Sequence, residues 1–252
     1  MKPSAATLKT LPDVPDDPSN GWSVGLWYWI PNGHSALQPG YQSTNPPAQY
    51  LKLPDPDHRG LGFRVTTPAG KYSRIAISGF QVKGHGNTTA SNDLTLFGNP
   101  FPKGDALDVS YRVRNVKAGW EYLMYPAPPQ SAFRIRALFE MQYVGQTATI
   151  SAPLDTNSTP ATGSRSIFLP TLGLGFDIVP SKIFRLEIRG SGMAWPEKSL
   201  ILDGEATAVV RVSHFEVVGG AKYFRYKSSP NKDQFFQGTL AGPFAGIRYN
   251  FR

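Results

Sequence analysis

Apolar residues recur at every second position over long stretches of the chain, the period of a β-strand. In "KIFRLEIRGSG", residues 182–192, Phe184, Leu186, Ile188 and Gly190 share one face and Arg185, Glu187, Arg189 and Ser191 the other. "ILDGEATAVVRV", 201–212, sets Leu202, Gly204, Ala206, Ala208, Val210 and Val212 against Asp203, Glu205, Thr207 and Arg211. In "FRIRALFEMQY", 133–143, Phe133, Ile135, Ala137, Phe139, Met141 and Tyr143 oppose Arg134, Arg136, Glu140 and Gln142. The final residues alternate likewise, with Pro243, Ala245, Ile247, Tyr249 and Phe251 on one face. Such runs are about 10 to 14 residues long, whereas strands of globular proteins average about 5 to 6. A tilted strand needs about 9 to 11 residues to cross a bilayer.

A β-sandwich would turn the charged face to water and pack the apolar face on a second sheet. A transmembrane barrel would turn the apolar face to lipid and line its interior with the charged one. Strand length favours the barrel. So do aromatic residues near strand ends: Trp22, Trp27, Trp29, Trp120, Tyr122, Tyr125, Trp195, Tyr249 and Phe251. The pattern predicts strands near 21–31, 60–68, 71–85, 103–113, 116–126, 131–143, 147–153, 165–178, 182–195, 200–212, 215–228 and 238–252. "TPAG", "RVRN", "VGQ", "VPSK" and "VSH" then form tight turns at one end, and the long connections 32–59, 86–102 and 154–163 fall at the other. An even count lets an antiparallel barrel close with both termini at one end. The expectation is an all-β, transmembrane, antiparallel up-and-down β-barrel of about 12 strands over residues 21–252, after a flexible polar segment at 1–20. Its last strand should pair with the first, near Trp22 to Ile30, because a barrel leaves no free edge.

Composition adjusts this picture at a few points. The 252 residues suit one large all-β domain. The longest apolar cluster, "VGLWYWI", falls far short of the roughly 18 residues of a membrane helix, which excludes a helical membrane protein. Cysteine is absent, so disulfides and thiolate metal sites are too. The net charge is +8, but Arg and Lys are scattered rather than gathered into one patch, which argues against nucleic acid as a partner. The first twenty residues contain no apolar segment of the secretory type; a signal for export would lie upstream of Met1 or have been removed.

The closing stretch "FAGIRYNF" resembles the final strand of Gram-negative outer-membrane β-barrel proteins, and "GEATAVVRV" through "HFEVVGGAKYFRY" looks like their last up-and-down strands. That resemblance implies residence in the bacterial outer membrane, with its lipid and lipopolysaccharide as surroundings. It also implies that Ile247, Tyr249 and Phe251 form a recognition signal for the barrel-assembly machinery. One departure is visible: Arg252 follows the aromatic on which the family usually ends.

No catalytic constellation emerges. None of His34, His58, His85 and His214 has a serine two residues away, where the two side chains would share a strand face. His214 and Glu216 could face one way but lack a third ligand. Asp55, Asp57 and His58 in "LPDPDHRG" offer too few oxygens for calcium and read as a Pro-stiffened turn. "GHGNTTASND" has no strand-to-helix context for phosphate binding. The informative set is the face expected to line the interior: Arg64, Arg74, Asp108, Arg112, Lys117, Glu121, Arg134, Arg136, Glu140, Arg185, Glu187, Arg189, Asp203, Glu205, Arg211, Glu216, Lys222 and Arg248. Most should form cross-strand pairs, because an unpaired charge in a confined space is costly. Basic groups are in excess. The reading is therefore a non-enzymatic barrel without metal or cofactor, either a narrow, anion-leaning pore for small solutes or a structural barrel with a charged interior. A lipid- or lipopolysaccharide-modifying barrel enzyme and a β-sandwich binding module are the alternatives.

Overall fold

The computed structural model describes residues 21–46, 49–126, 133–155, 159–181, 183–195 and 199–251; the polar segment expected at 1–20 lies outside them. The strands are β1 (Ser23–Trp29), β2 (Asn32–Pro39), β3 (Leu51–Lys52), β4 (Gly60–Gly70), β5 (Ser73–Thr89), β6 (Leu94–Leu96), β7 (Asn99–Phe101), β8 (Ala106–Met124), β9 (Phe133–Ser151), β10 (Ala161–Ile178), β11 (Phe184–Trp195), β12 (Ser199–Val212), β13 (Phe215–Lys227) and β14 (Gln234–Asn250). Antiparallel pairing runs β1–β4–β5–β8 through β14 and returns to the start. The second half of β14 pairs with β1, from Phe244↔Trp29 to Asn250↔Ser23, and its first half with β2, from Gln234↔Pro39 to Ala241↔Asn32. Thus β1 and β2 are one strand interrupted at Ile30–Pro31, where proline lacks the N–H that a ladder needs. β3 extends the rim, and β6 and β7 form a small hairpin. The result is a closed barrel of 10 strands.

Ser23 and Asn250 lie at one end, called here the near end, together with the β4–β5, β8–β9, β10–β11 and β12–β13 links. The longer links, including β2 to β4 and β5 to β8, lie at the far end.

The count of ten corrects the expected twelve. The segments 103–113 and 116–126 are parts of one 19-residue strand, β8, and 131–143 and 147–153 are parts of another, β9. "RVRN" and "VGQ" are strand interior. At both places the two faces exchange character. Along β8, Val116, Ala118, Trp120, Tyr122 and Met124 point outward while Asn115, Lys117 and Glu121 point inward. Beyond Asn115, Leu107, Val109, Tyr111 and Val113 are buried inside, and Ser110, Arg112 and Arg114 are outside. In β9, Phe139, Met141 and Tyr143 are outside on one side of the exchange, and Val144, Ala148 and Ile150 are inside on the other. Asn115 pairs with Val144, Phe80 with Asn115 and Val144 with Ile167, so the exchange runs level across β5, β8, β9 and β10.

A level exchange has one physical meaning: the solvent outside the wall changes there. Toward the near end the exterior is a band of large apolar side chains, among them Leu26, Phe63, Ile77, Phe139, Leu172, Ile188, Val217 and Ile247, all exposed. Tyr28, Tyr143, Phe168 and Tyr223 edge it on one side and Phe133, Phe184, Phe215 and Tyr249 on the other. Along β9 the band spans residues 133–143, close to the bilayer-crossing length of about 9 to 11. Toward the far end the wall has a polar exterior and an apolar interior, as a barrel in water must. Trp27 and Trp29 are not in the outer girdle: they face inward, and Trp29 is fully buried with its Nε1 donating to the Gly242 carbonyl at 3.1 Å.

The band yields a position-dependent expectation. Ile188→Arg, mid-band on β11, should cost about 2–4 kcal/mol of folding stability in lipid vesicles, whereas Thr147→Arg, outside and beyond the exchange, should cost about 0–1. Equal urea midpoints for the two variants would remove the band from lipid.

Candidate functional site: a two-layered interior and a basic outer wall

The interior holds two stacked layers. The layer toward the near end is ionic, and four carboxylates organise it. Glu121 accepts from Arg64 Nη2 and from Arg74 Nε at 2.6 Å, with Arg136 Nη1 at 3.5 Å and Arg189 Nη1 at 3.9 Å. Glu187 is held by Arg185 at 2.8 Å, Arg189 at 2.9 Å and Arg248 at 3.1 Å. Glu216 pairs with Arg185 at 3.1 Å, Arg248 at 3.0 Å and Arg211. Asp203 receives Lys222 at 2.6 Å and Lys117 at 2.9 Å. Lys117 stands on β8 and Asp203 on β12, four strands apart in a ring of ten, so their contact crosses the interior rather than following the wall. The void between Arg64, Lys117, Arg189, Asp203 and Glu205 is about 10 Å³, room for about one water.

Above this layer the interior is apolar. Trp29 meets Phe80 at 5.2 Å between ring centroids, and Phe80 meets Phe224 on the facing wall at 4.9 Å. Lys222 lies 5.3 Å over the Phe80 ring and joins the two layers. Leu94, Leu96 and Phe101 of the β6–β7 hairpin and Leu51 and Leu53 before β4 are buried in the same cluster. Where a ring must lie flat on the wall, the wall is glycine: a Cβ on Gly84 would sit 2.3 Å from the Tyr111 ring, and one on Gly62 would sit 2.3 Å from Trp27.

Of the residues expected to line the interior, Arg136, Glu140, Arg185, Glu187, Arg189, Asp203 and Lys222 project inward and are buried, together with Arg64, Arg74, Glu121 and Glu216. Lys117, Glu205, Arg211 and Arg248 join the same contacts. Arg134 is half-buried near the Tyr125 ring, 5.9 Å away. Asp108 and Arg112 are placed otherwise. They sit beyond the exchange on β8, where the charged face is the outer one. Sequence reasoning missed Asp177, fully buried inside β10, whose Oδ2 accepts from Arg136 Nε at 2.8 Å. Its signal was parity: Asp177 shares a face with Gly175 and Gly173, which carry no polar pattern. Glu140 also accepts from Ser191 at 2.6 Å and Gln142 at 3.1 Å, uncharged partners that charge patterning does not reveal.

Ile247 and Tyr249 point outward at the near end, and the exposed Phe251 ring packs on Tyr249 at 4.8 Å. His214 stacks on Tyr249 at 6.1 Å and bonds Ser213, while Glu216 is engaged by arginines. His58 Nδ1 lies 3.0 Å from the Pro31 carbonyl.

The outer wall of β5, β8, β9 and β10 has a second feature. Four side chains abreast form each row: Ile77, Ala118, Met141 and Pro170, then Gly79, Val116, Tyr143 and Phe168. The next rows are Gln81, Arg114, Gly145 and Ser166, then Lys83, Arg112, Thr147 and Ser164. A hollow of about 740 Å³ borders the polar rows; it is lined by the outward Lys83, His85, Arg112, Arg114, Tyr143 and Gly145, by Asp57, and by Tyr111, Gln146 and Arg165 of the inward face, among others. A groove of about 420 Å³ opens over the apolar rows, lined by Ile75, Ala118, Trp120, Phe139, Met141, Pro170 and Leu172. Within the hollow Arg114 Nε donates to Gln81 Oε1 at 2.8 Å. Among the described residues no carboxylate forms an ion pair with Lys83, Arg112 or Arg114. His85 Nδ1 lies 3.5 Å from Asp108 Oδ1, and Ser110 is the register partner of His85.

No protein-family model and no curated protein matches this sequence. Among solved structures, the outer membrane protease OmpT from Escherichia coli aligns with a TM-score of 0.60 at 11% identity, over 96% of this chain and 99% of that one. The translocator domain of the autotransporter NalP from Neisseria meningitidis gives 0.47 at 10% identity, over 92% and 89%. Ail, the attachment invasion locus protein of Yersinia pestis, gives 0.39 at 13%, over 91% and 99%. The OmpT likeness establishes the barrel fold alone.

Proposed function

We propose that this chain is an outer-membrane β-barrel of a Gram-negative bacterium that acts as a closed, structural barrel, its near end toward the periplasm and its far half standing outside the membrane. One observation carries the reading: two interior layers, one ionic and one apolar, fill the path that a pore would need. Ten strands give a bore between that of eight-stranded barrels, which side chains fill, and the channels of about 16 to 18 strands. The long arginines and the inserted hairpin take up that extra width. In this setting Ile247, Tyr249 and Phe251 serve as the end recognised during barrel assembly, and membrane lipid surrounds the band. Planar-bilayer recording tests the reading: insertion without discrete current steps is expected. A stable, anion-selective conductance would restore the narrow pore.

A second reading, a hydrolase acting at the lipid surface, is favoured by the carboxylate, imidazole and hydroxyl that Asp108, His85 and Ser110 bring together on the outer wall. These are the group types of a general-base-activated nucleophile. A fluorophosphonate probe should then label Ser110 in wild type and not in His85→Ala. Absence of labelling in wild type leaves the closed structural barrel.

A further inference from the structure

The basic hollow and the apolar groove lie one above the other on the same four strands, with Tyr143, Val116 and Phe168 between them. Neither is generic for this wall. The groove exists because Ala118 and Pro170 are short beside Trp120, Phe139 and Met141. The hollow is net cationic because Lys83, Arg112 and Arg114 are adjacent in register and outnumber Asp57, which lines it beside Lys83, and none of the three forms an ion pair among the described residues. A net-basic row immediately above an apolar surface, with Arg112 and Arg114 remote from Asp57 at its end, is the complement of an amphiphile with an anionic head. A soluble anion would have no use for the groove, and a plain hydrocarbon none for the cations.

We infer that this wall binds one phosphate-bearing lipid of the leaflet that borders the exchange plane. Lys83, Arg112 and Arg114 take the phosphate, Arg114 being aimed by its bond to Gln81, and an acyl chain lies in the groove between Ala118 and Pro170. The inference rests on the outer-membrane reading above, which makes that leaflet the outer one and its phosphorylated lipid lipopolysaccharide. Guanidinium and ammonium groups suit this task, since their charge-assisted bonds to phosphate are strong and orient the head.

The test uses the full chain folded in detergent micelles and titrated with diphosphoryl lipid A, with the same lipid stripped of phosphate, and with inorganic phosphate. Bound molecules are counted by native mass spectrometry. Wild type should retain one lipid A. Arg112→Ala with Arg114→Ala should bind it about thirtyfold more weakly, two contacts at about 1 kcal/mol each. Ala118→Trp, which fills the groove and leaves the charge, should also weaken it. Arg225→Ala with Lys227→Ala, basic residues on the outer face of β13 away from the groove, should bind as wild type does. Equal binding by all variants, or by dephosphorylated lipid, would overturn the site. Saturation by inorganic phosphate at the same concentrations would assign the hollow to soluble anions and overturn the lipid. Heat-modifiable electrophoretic mobility separates the two levels of failure: without it the barrel reading falls, and with it but without selective lipid only this inference does.

Discussion

Glu121→Gln is expected to lower the stability of the folded barrel by about 3–5 kcal/mol, the range for removing one partner from a buried ionic cluster. Glu121 is 1% exposed and pairs with both Arg64 and Arg74, with Arg136 and Arg189 within 3.9 Å. Arg136 and Arg189 keep Asp177 and Glu187 when it is neutralised. Arg64 loses the carboxylate that compensates its burial, and Arg74 loses its 2.6 Å bond to Glu121. Glu205→Gln provides the contrast. That side chain is 20% exposed and lies 3.7 Å from Lys222, which keeps Asp203 at 2.6 Å, so a loss of about 0–1 kcal/mol is expected. Urea unfolding in vesicles, followed by tryptophan fluorescence and by heat-modifiable mobility, measures both. Equal midpoints for the two variants would mean that the ionic layer has no hub at Glu121.

The barrel class was legible because lipid and water impose opposite rules on the same period-two pattern, and the strands were long enough to display it. Closure was legible too, from the paired aromatic ends at Trp22–Trp29 and Phe244–Phe251. The strand number was not. Alternation that reverses phase at Arg114–Asn115 and at Tyr143–Val144 resembles two strands joined by a turn, although neither site contains the Pro or Asn-Gly dipeptides that tight turns favour. The reversal instead marks where a continuous strand leaves one solvent for another. The same oversight put Arg112 and Asp108 indoors, since 103–113 was read as a strand of its own and its charged face was assigned to the interior. Trp27 and Trp29 were placed in the girdle by their nearness to a strand end alone, whereas their parity in β1 turns them inward. The basic hollow shared this fate: its residues were counted singly in the sequence, and only the register sets Lys83 beside Arg112 and Gln81 beside Arg114.

If the two interior layers are seals in series, opening either alone should leave the barrel closed. Lys117→Ala with Asp203→Ala removes the contact that crosses the ionic layer, while Trp29, Phe80 and Phe224 still meet above it at 5.2 and 4.9 Å. The pair removes one charge of each sign, Lys222 keeps Glu205 at 3.7 Å and Glu140 keeps its bonds from Gln142 and Ser191, so folding should survive. Phe80→Ala with Phe224→Ala empties the apolar layer, at about 3–5 kcal/mol for each ring, and leaves the ionic layer intact below. Only the four-fold variant provides a continuous aqueous path. Planar-bilayer recordings should therefore be silent for wild type and for both double variants, and show current steps for the combination. The steps should favour anions, because deleting Lys117 and Asp203 together leaves Glu121, Glu187 and Glu216 shared among Arg64, Arg74, Arg185, Arg189, Arg211 and Arg248 along the path. High salt should erode that preference as the Debye length falls from about 10 Å at 0.1 M to about 3 Å at 1 M. Conduction through either double variant would show that its layer alone closes the barrel, and the other would then be packing rather than a seal.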